Sequence, residues 1–281
     1  MKATCQKQGN NGDEKMILNN VKEAYITDLI RKGKRADSRA PMEYRPIEVE
    51  TNVFENCEGS AIAHLGDTKV LAGVKIDVAE PFSDRPNEGV FMVNSEFTPS
   101  AHPQFEAGPP NERSIELARV VDRGIRAANS IDLNALALPD GRVLGVFVDL
   151  YVLDHSGNLI DAAALAAMAA LNNTRIPKYE PSSDEKKRGK LFRTESAGQL
   201  DIKSNVIACS FEKIEGTTIA DATDEEEVAS NGRLTIAIAD GEYMVASQKS
   251  GAAGFKRQEI MNLFDAAVSK YAELAAHAKK R

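Results

Sequence analysis

The sequence predicts an α+β protein of two similar lobes. Strand-like and helix-like segments alternate in blocks, and they do so twice over, which is not the pattern of a Rossmann or barrel enzyme. A charged stretch containing Pro and Ser, PKYEPSSDEKKRGK from Pro177 to Lys190, separates the two sets and has the composition of a linker or exposed loop. At 281 residues the chain can bury one large core or two modest ones. The expected organisation is a polar tail over residues 1–15, a first lobe over 16–180 and a second over 190–281.

The elements follow in order. Residues 1–15 are polar and rich in Gly, Asn and Lys, the composition of a disordered tail, so the ordered chain is expected to open near Met16. Val21, Tyr25, Leu29 and Ile30 then share one helical face, and the helix should end before RKGKRADSR, a loop with spare positive charge. From Ile47 to Val78 the pattern turns to short β-rich runs, IEVETNVF, SAIAHL and TKVLAGVKIDV, which read as an antiparallel meander. A strand at residues 89–97 comes next, then a helix rich in arginine. RVLGVFVDLYVL (Arg142 to Leu153) reads as a long, apolar, central strand, and an Ala-rich helix follows at 161–172. In the second lobe SNVIACSFEKI and GTTIADA look like paired strands. GRLTIAIADGEYMVASQKSG reads as a hairpin turning at Asp240 and Gly241, and a helix from about Phe255 to Lys279 closes the chain.

The arginine helix, NERSIELARVVDRGIR, reverses the sign of an otherwise acidic protein. Pro109 and Pro110 precede it, Asn111 is the expected N-cap, and the helix should run to about Asn129. Leu117, Val120, Val121 and Ile125 form one apolar arc, while Arg119, Arg123 and Arg126 share a narrow sector away from it. Guanidinium forks suit phosphate oxygens bidentately, so this row marks a focused site for a polyanion. The plain alternative is a solvated face paired with Glu116 and Asp122.

Bulk properties exclude several classes. A formal net charge of −7 argues against indiscriminate coating of nucleic acid, so any anion site must be local. Cys5, Cys57 and Cys209 are far apart and form no CxxC pair, which fits a reducing compartment and a cytoplasmic protein. The longest apolar run, Ala162 to Leu171, is too short to cross a bilayer, and the polar start lacks a signal peptide's apolar stretch.

Other motifs offer little chemistry. Asp154, His155 and Ser156 have the residue types of a hydrolase triad, but adjacent residues on a strand point to opposite faces. DATDEEE, Asp221 to Glu227, could ligate a hard cation, although a solvated helix start is the simpler reading. KSGAAGF, Lys249 to Phe255, places glycines before a helix, where a turn is the default over an anion site. His64, His102 and His277 are scattered without metal-ligand spacing.

Four blocks in order, GDTKVLAGVK, FEAGPPNERSIELARVVDRGIR, VDLYVLDHSGNLIDAAALAAMAAL and the hairpin ending in QKSG, resemble the RNase PH superfamily of phosphorolytic 3′-to-5′ exoribonucleases. The likeness runs from about residue 20 to 275. It implies a two-lobed fold, a core like domain 2 of ribosomal protein S5 plus a C-terminal α/β lobe. ELARVVDR followed by VLDHSGNLIDAA is similar in particular to the non-catalytic subunits of the archaeal exosome. Those subunits alternate with a catalytic paralogue in a hexameric ring that carries RNA-binding cap subunits and degrades single-stranded RNA.

The resemblance also sets expectations for the site. Catalytic relatives grip phosphate with a Gly-Gly-Thr-Arg-like turn, and matching VLQADGGTR to VLDHSGNLI puts Leu159 and Ile160 where the hydroxyl and guanidinium should be. Neither can donate a hydrogen bond to an oxyanion. Catalytic relatives also carry two aspartates six residues apart, held to bind a divalent metal and supply a proton. Those positions fall here on Glu227 and Arg233, and a guanidinium repels a cation and cannot act as an acid at neutral pH. The resemblance therefore implies no catalytic residues, no metal and no cofactor in this chain, with Arg119 and Arg123, and less centrally Arg113, contacting the RNA backbone.

Overall fold

The computed structural model describes residues 10–182 and 189–279, those before residue 20 by backbone alone. Its elements are α1 (Asn10–Arg31), β1 (Ile47–Thr51), β2 (Gly59–Leu65), β3 (Thr68–Ala79), β4 (Val90–Phe97), α2 (Glu112–Ala127), β5 (Val143–Asp154), α3 (Leu159–Asn172), β6 (Arg175–Glu180) and β7 (Lys190–Gln199). They continue with β8 (Val206–Ile214), β9 (Thr217–Ala220), α4 (Asp224–Ala229), β10 (Gly232–Ala239), β11 (Tyr243–Gly251) and α5 (Arg257–Ala278).

The expected meander forms β1, β2 and β3, paired antiparallel. Along β3 burial alternates residue by residue, with Val70, Ala72, Val74 and Ile76 inside and Lys69, Lys75 and Asp77 between them, as a one-faced strand requires. The first sheet has the order β1-β2-β3-β5-β4. Strand β5 is paired on both edges, antiparallel to β3 and parallel to β4. A parallel pair needs a crossover, and α2 supplies it, packed on β4. The Asn111 side chain accepts the Ser114 N–H at 2.9 Å, so the predicted N-cap holds. The second sheet, β11-β10-β8-β9, is antiparallel throughout, and its β10–β11 hairpin turns through Asp240 and Gly241, both at positive φ (51° and 78°).

Helix α3 joins the lobes. Every residue from Ile160 to Leu171 is buried, because one side meets β2 and β3 and the other meets β8 and α5. A helix apolar all round has to be enclosed, and its many alanines let both sheets approach closely. Buried residues of both sheets and of α2, α3 and α5 form one continuous core. A smaller cluster seats Ile26 and Ile30 of α1 on Ile214, Ile219, Ala222 and Ala229.

Four sequence expectations change. Helix α1 opens at Asn10, inside the segment expected to be a tail, and residues 1–9 lie outside the described residues. The segment read as a linker begins as a strand: β6 and β7 pair into an antiparallel arm, with residues 183–188 outside the described set. Alternation there was masked by Pro177 and by the charges. The positive charge of RKGKRADSR is not spare, and DATDEEE is not a solvated helix start, because the two segments bind each other. Arg35 donates to both carboxylate oxygens of buried Glu226 (2.9 and 2.6 Å), and Arg39 and Arg45 each reach Asp221 at 2.8 Å. Burial would raise the Asp221 carboxyl, but Arg45 and the Asn158 amide outweigh it and hold it below the usual carboxylate range. Among the described residues no helix is long and apolar enough to cross a membrane.

Candidate functional site

Helix α2 divides the surface into two clefts. On one flank Arg119, Arg123 and Arg126 line a groove of about 520 Å³ together with Phe91, Met92 and Val93 of β4. The three arginines are not equivalent. Arg126 is held by both oxygens of Asp122 (2.8 and 3.2 Å), donates to the Phe91 carbonyl (2.8 Å) and lies 5.4 Å above the Phe91 ring. Arg123 bonds the neutral Gln248 amide oxygen (2.6 Å), which leaves its charge uncompensated. Arg119 is exposed and, among the described residues, has no hydrogen bond or ion pair. Glu116, a suggested partner of the row, instead faces Arg233. The geometry thus leaves Arg119 and Arg123 as the cations open to an anionic ligand.

Arg113 belongs to the other flank. It lines a cleft of about 310 Å³ with Glu116, His155, Leu159, Glu212, Asp224, Glu227 and Arg233, so two cations face four carboxylates. Here the turn between β5 and α3 departs from any phosphate grip. Gly157 (φ 94°) and Asn158 (φ 55°) bend the chain sharply, and a side chain on Gly157 would meet the Ala222 carbonyl oxygen at 2.4 Å. Leu159 borders the cleft and Ile160 is in the core. The Asn158 N–H, which an anion at the start of α3 would need, donates to Oε1 of Glu227 at 2.7 Å. A protein carboxyl group takes up that N–H.

Burial also shifts the neighbouring carboxyl groups toward their neutral forms. Burial, with Glu212 nearby, pushes the Glu227 carboxyl up to about 7. Glu212 is itself raised by burial and accepts the Ser230 hydroxyl at 2.6 Å. Arg233 stands 3.4 Å from Glu116 and 3.9 Å from Glu212. A guanidinium in that position does not fit the divalent ion that paired aspartates hold in catalytic relatives.

The structure also assembles residues that the sequence left apart. His102 and His155 face each other (ring centroids 5.1 Å apart), with Asp224 3.5 Å from the first and 3.7 Å from the second. Phe105 stacks on His155, and burial holds that imidazole down near a pKa of about 4. No spacing rule links positions 102, 155 and 224, because a loop, a turn and a short helix from both lobes bring them together. The triad reading of Asp154, His155 and Ser156 fails, since Asp154 turns to Lys69 (3.6 Å). The glycine turn before α5 offers no anion site either: Glu259 accepts the Lys256 N–H (2.6 Å), and Lys213 binds the Gly254 carbonyl (3.0 Å).

Comparison with known proteins accords with this geometry. The 3′ exoribonuclease family matches with its domain 1 at residues 43–177 and its domain 2 at residues 204–270. The exosome complex component Rrp42 of Thermococcus gammatolerans is 43% identical over 92% of this chain and 94% of its own length. Among solved structures, the Archaeoglobus fulgidus exosome with RNA bound to the active site contains a chain of 38% identity and TM-score 0.82, covering 92% of this chain and 98% of that one. An archaeal exosome core gives 35% identity and TM-score 0.78, covering 94% and 98%. With both domains in order around one shared core, the chain belongs to the 3′ exoribonuclease family, of RNase PH type.

Proposed function

We propose that this chain is an exosome ring subunit that grips single-stranded RNA with Arg119 and Arg123 and has no phosphorolytic chemistry of its own. In this reading it alternates with a catalytic RNase PH-like paralogue in a hexameric ring, shapes that paralogue's active site and works beneath RNA-binding cap subunits. The names of its relatives support the assembly, since they are called exosome components, and one solved relative comes from an exosome with RNA bound.

The observation that carries the non-catalytic half is the occupied turn. Glu227 accepts the Asn158 N–H, Leu159 and Ile160 replace polar phosphate ligands, and four carboxylates line the cleft. Phosphorolysis must hold an inorganic phosphate beside an RNA phosphodiester, and this turn offers neither a free Asn158 N–H nor a hydroxyl or guanidinium at positions 159 and 160 to do so. The gripping half rests on two guanidiniums with uncompensated charge on one exposed helix flank. Contacts of this kind bind the backbone and read no base sequence. Arg113 is a third and weaker contact, placed where the strand would pass toward the acidic flank.

The test is reconstitution with a catalytic paralogue. Arg119→Glu with Arg123→Glu should leave the ring assembled while weakening RNA binding and slowing degradation at low RNA concentration; unchanged turnover there overturns the assignment. Release of nucleoside diphosphates from RNA by the isolated chain, in phosphate and magnesium, would establish it instead as a nuclease in its own right.

A further inference from the structure

We propose that His155, Asp224 and Glu227, with His102 as a fourth ligand, form a binding site for one divalent transition ion, Zn²⁺ fitting the donor set best. This does not depend on the RNA-binding assignment, and it shares only position 227 with the paired-aspartate site of catalytic relatives. It needs imidazoles at positions 102 and 155 and makes no use of position 233.

Ligand atoms of His155, Asp224 and Glu227 all lie within 4.8 Å of one another. Nε2 of His102 is 3.5 Å from one Asp224 oxygen, and Nε2 of His155 is 3.7 Å from the other. Around a tetrahedral ion with bonds of about 2.0–2.2 Å, neighbouring ligand atoms stand roughly 3.3–3.6 Å apart. His155, Asp224 and Glu227 therefore need to close in by about 1 Å, and His102, outside that cluster, has to swing further to complete the shell. Two imidazoles and two carboxylates suit zinc and its neighbours, whereas magnesium prefers oxygen ligands and retained water.

The carboxylate side of the site is already supported, whereas the two imidazoles have to change tautomer to bind an ion. The Asn158 N–H fixes Oε1 of Glu227 at 2.7 Å and leaves the other oxygen available, the kind of outer support that orients a ligand. Phe105 stacks against His155 as an apolar wall. Arg233 is engaged by Glu116 and Glu212 and, among the described residues, makes no ion pair with Glu227. Asp224 is a third exposed at the mouth of the cleft, which gives an entry path. Because the 98–105 loop and the 155–158 turn belong to the first lobe and α4 to the second, an ion here ties the lobes together.

The histidine protons supply a signature. The Gly157 N–H points at Nδ1 of His155 and the Gln104 N–H at Nδ1 of His102, both at 3.2 Å. Each neutral ring in the metal-free chain therefore carries its proton on Nε2, aimed at Asp224. An ion takes the Nε2 lone pairs, so each ring's proton moves to Nδ1 and the two long backbone contacts are given up. No proton leaves the imidazoles in the exchange.

The full chain, stripped with a chelator, should be titrated with ZnCl₂, CoCl₂ and MgCl₂. One Zn²⁺ per chain should bind, Co²⁺ should show the visible bands of a four-coordinate site, and Mg²⁺ should do neither. The melting temperature should rise with Zn²⁺ concentration. Long-range ¹H–¹⁵N spectra should show both histidines switching from the Nε2–H to the Nδ1–H tautomer. His155→Gln, which keeps a donor toward Asp224, and His102→Gln should each weaken Zn²⁺ binding by more than about 100-fold. Tautomers unchanged at saturating Zn²⁺, or affinity unchanged in both variants, overturns the site and leaves Asp224 bracketed by two imidazole donors as a purely internal contact. The tautomer measurement uses the wild-type chain, so it decides the question even if a variant folds poorly.

Discussion

The two flanks of α2 differ in sign although they share one helix and lie within a few turns of each other. On the Arg119 and Arg123 flank, cations face solvent across from the apolar side chains of β4. On the Arg113 and Glu116 flank, both cations are outnumbered by carboxyl groups, and the Asn158 N–H at the start of α3 is taken by Glu227. Under the proposed function, this contrast separates holding RNA from cutting it. Grip needs only fixed positive charge at the surface, whereas phosphorolysis needs an anion hole kept clear of the protein's own anions.

The largest perturbation would remove the frame under the acidic flank. Arg35→Ala strips buried Glu226 of its partner at the base of α4, and breaking a buried pair of this kind costs about 3–5 kcal/mol. Urea unfolding should show that loss, and an unchanged midpoint would mean that the two flanks do not rest on this contact. Next comes the charge reversal Arg119→Glu with Arg123→Glu. Affinity of the assembled ring for single-stranded RNA should fall about 100-fold, and the slope of log K against log salt should flatten by about 1.4, the share of two backbone contacts. An unaltered slope would place the phosphate contacts elsewhere.

A pH measurement probes the ground between the flanks. Asp161 is fully buried at the start of α3, and burial raises it to about 6 although Asn158, Ser210 and Tyr44 all donate to it. Its pKa is higher folded than unfolded, so the native state binds more protons between about pH 4 and 6. Stability from this group is therefore lost as pH rises through that window. Relative to Asp161→Asn, the wild-type chain should lose on the order of 2 kcal/mol from pH 4 to pH 6, and parallel stability curves would contradict the shift. The smallest effect is expected at Arg113→Glu, about fivefold in RNA affinity. A loss as large as that of the double variant would erase the distinction between the flanks.

Most of the fold was legible because its signals are local. Period-two burial in β3, the apolar arc of α2 with its Asn111 cap, and the Asp240–Gly241 turn each depend on neighbours a few residues away. The arm formed by β6 and β7 was not, since Pro177 and a run of charges imitate a linker and pairing partners must be supplied from outside the segment. At the site, apolar Leu159 and Ile160 in place of the resemblance's phosphate ligands could be read once the resemblance had aligned them. The contact of Glu227 with the Asn158 N–H could not.

The sequence by itself determined the α+β class, the order of the elements and an arginine row with one apolar and one charged side, because periodicity and capping are properties of short segments. Tertiary structure alone decided which arginines stay available. Arg35, Arg39, Arg45 and Arg126 have the same chemistry as Arg119 and Arg123, but they are neutralised by Glu226, Asp221 and Asp122, and for the first three that partner lies some 180 residues away in sequence. It also gathered His102, His155 and Asp224 from a loop, a turn and a helix. A charge acts through distance and burial, and the fold sets both.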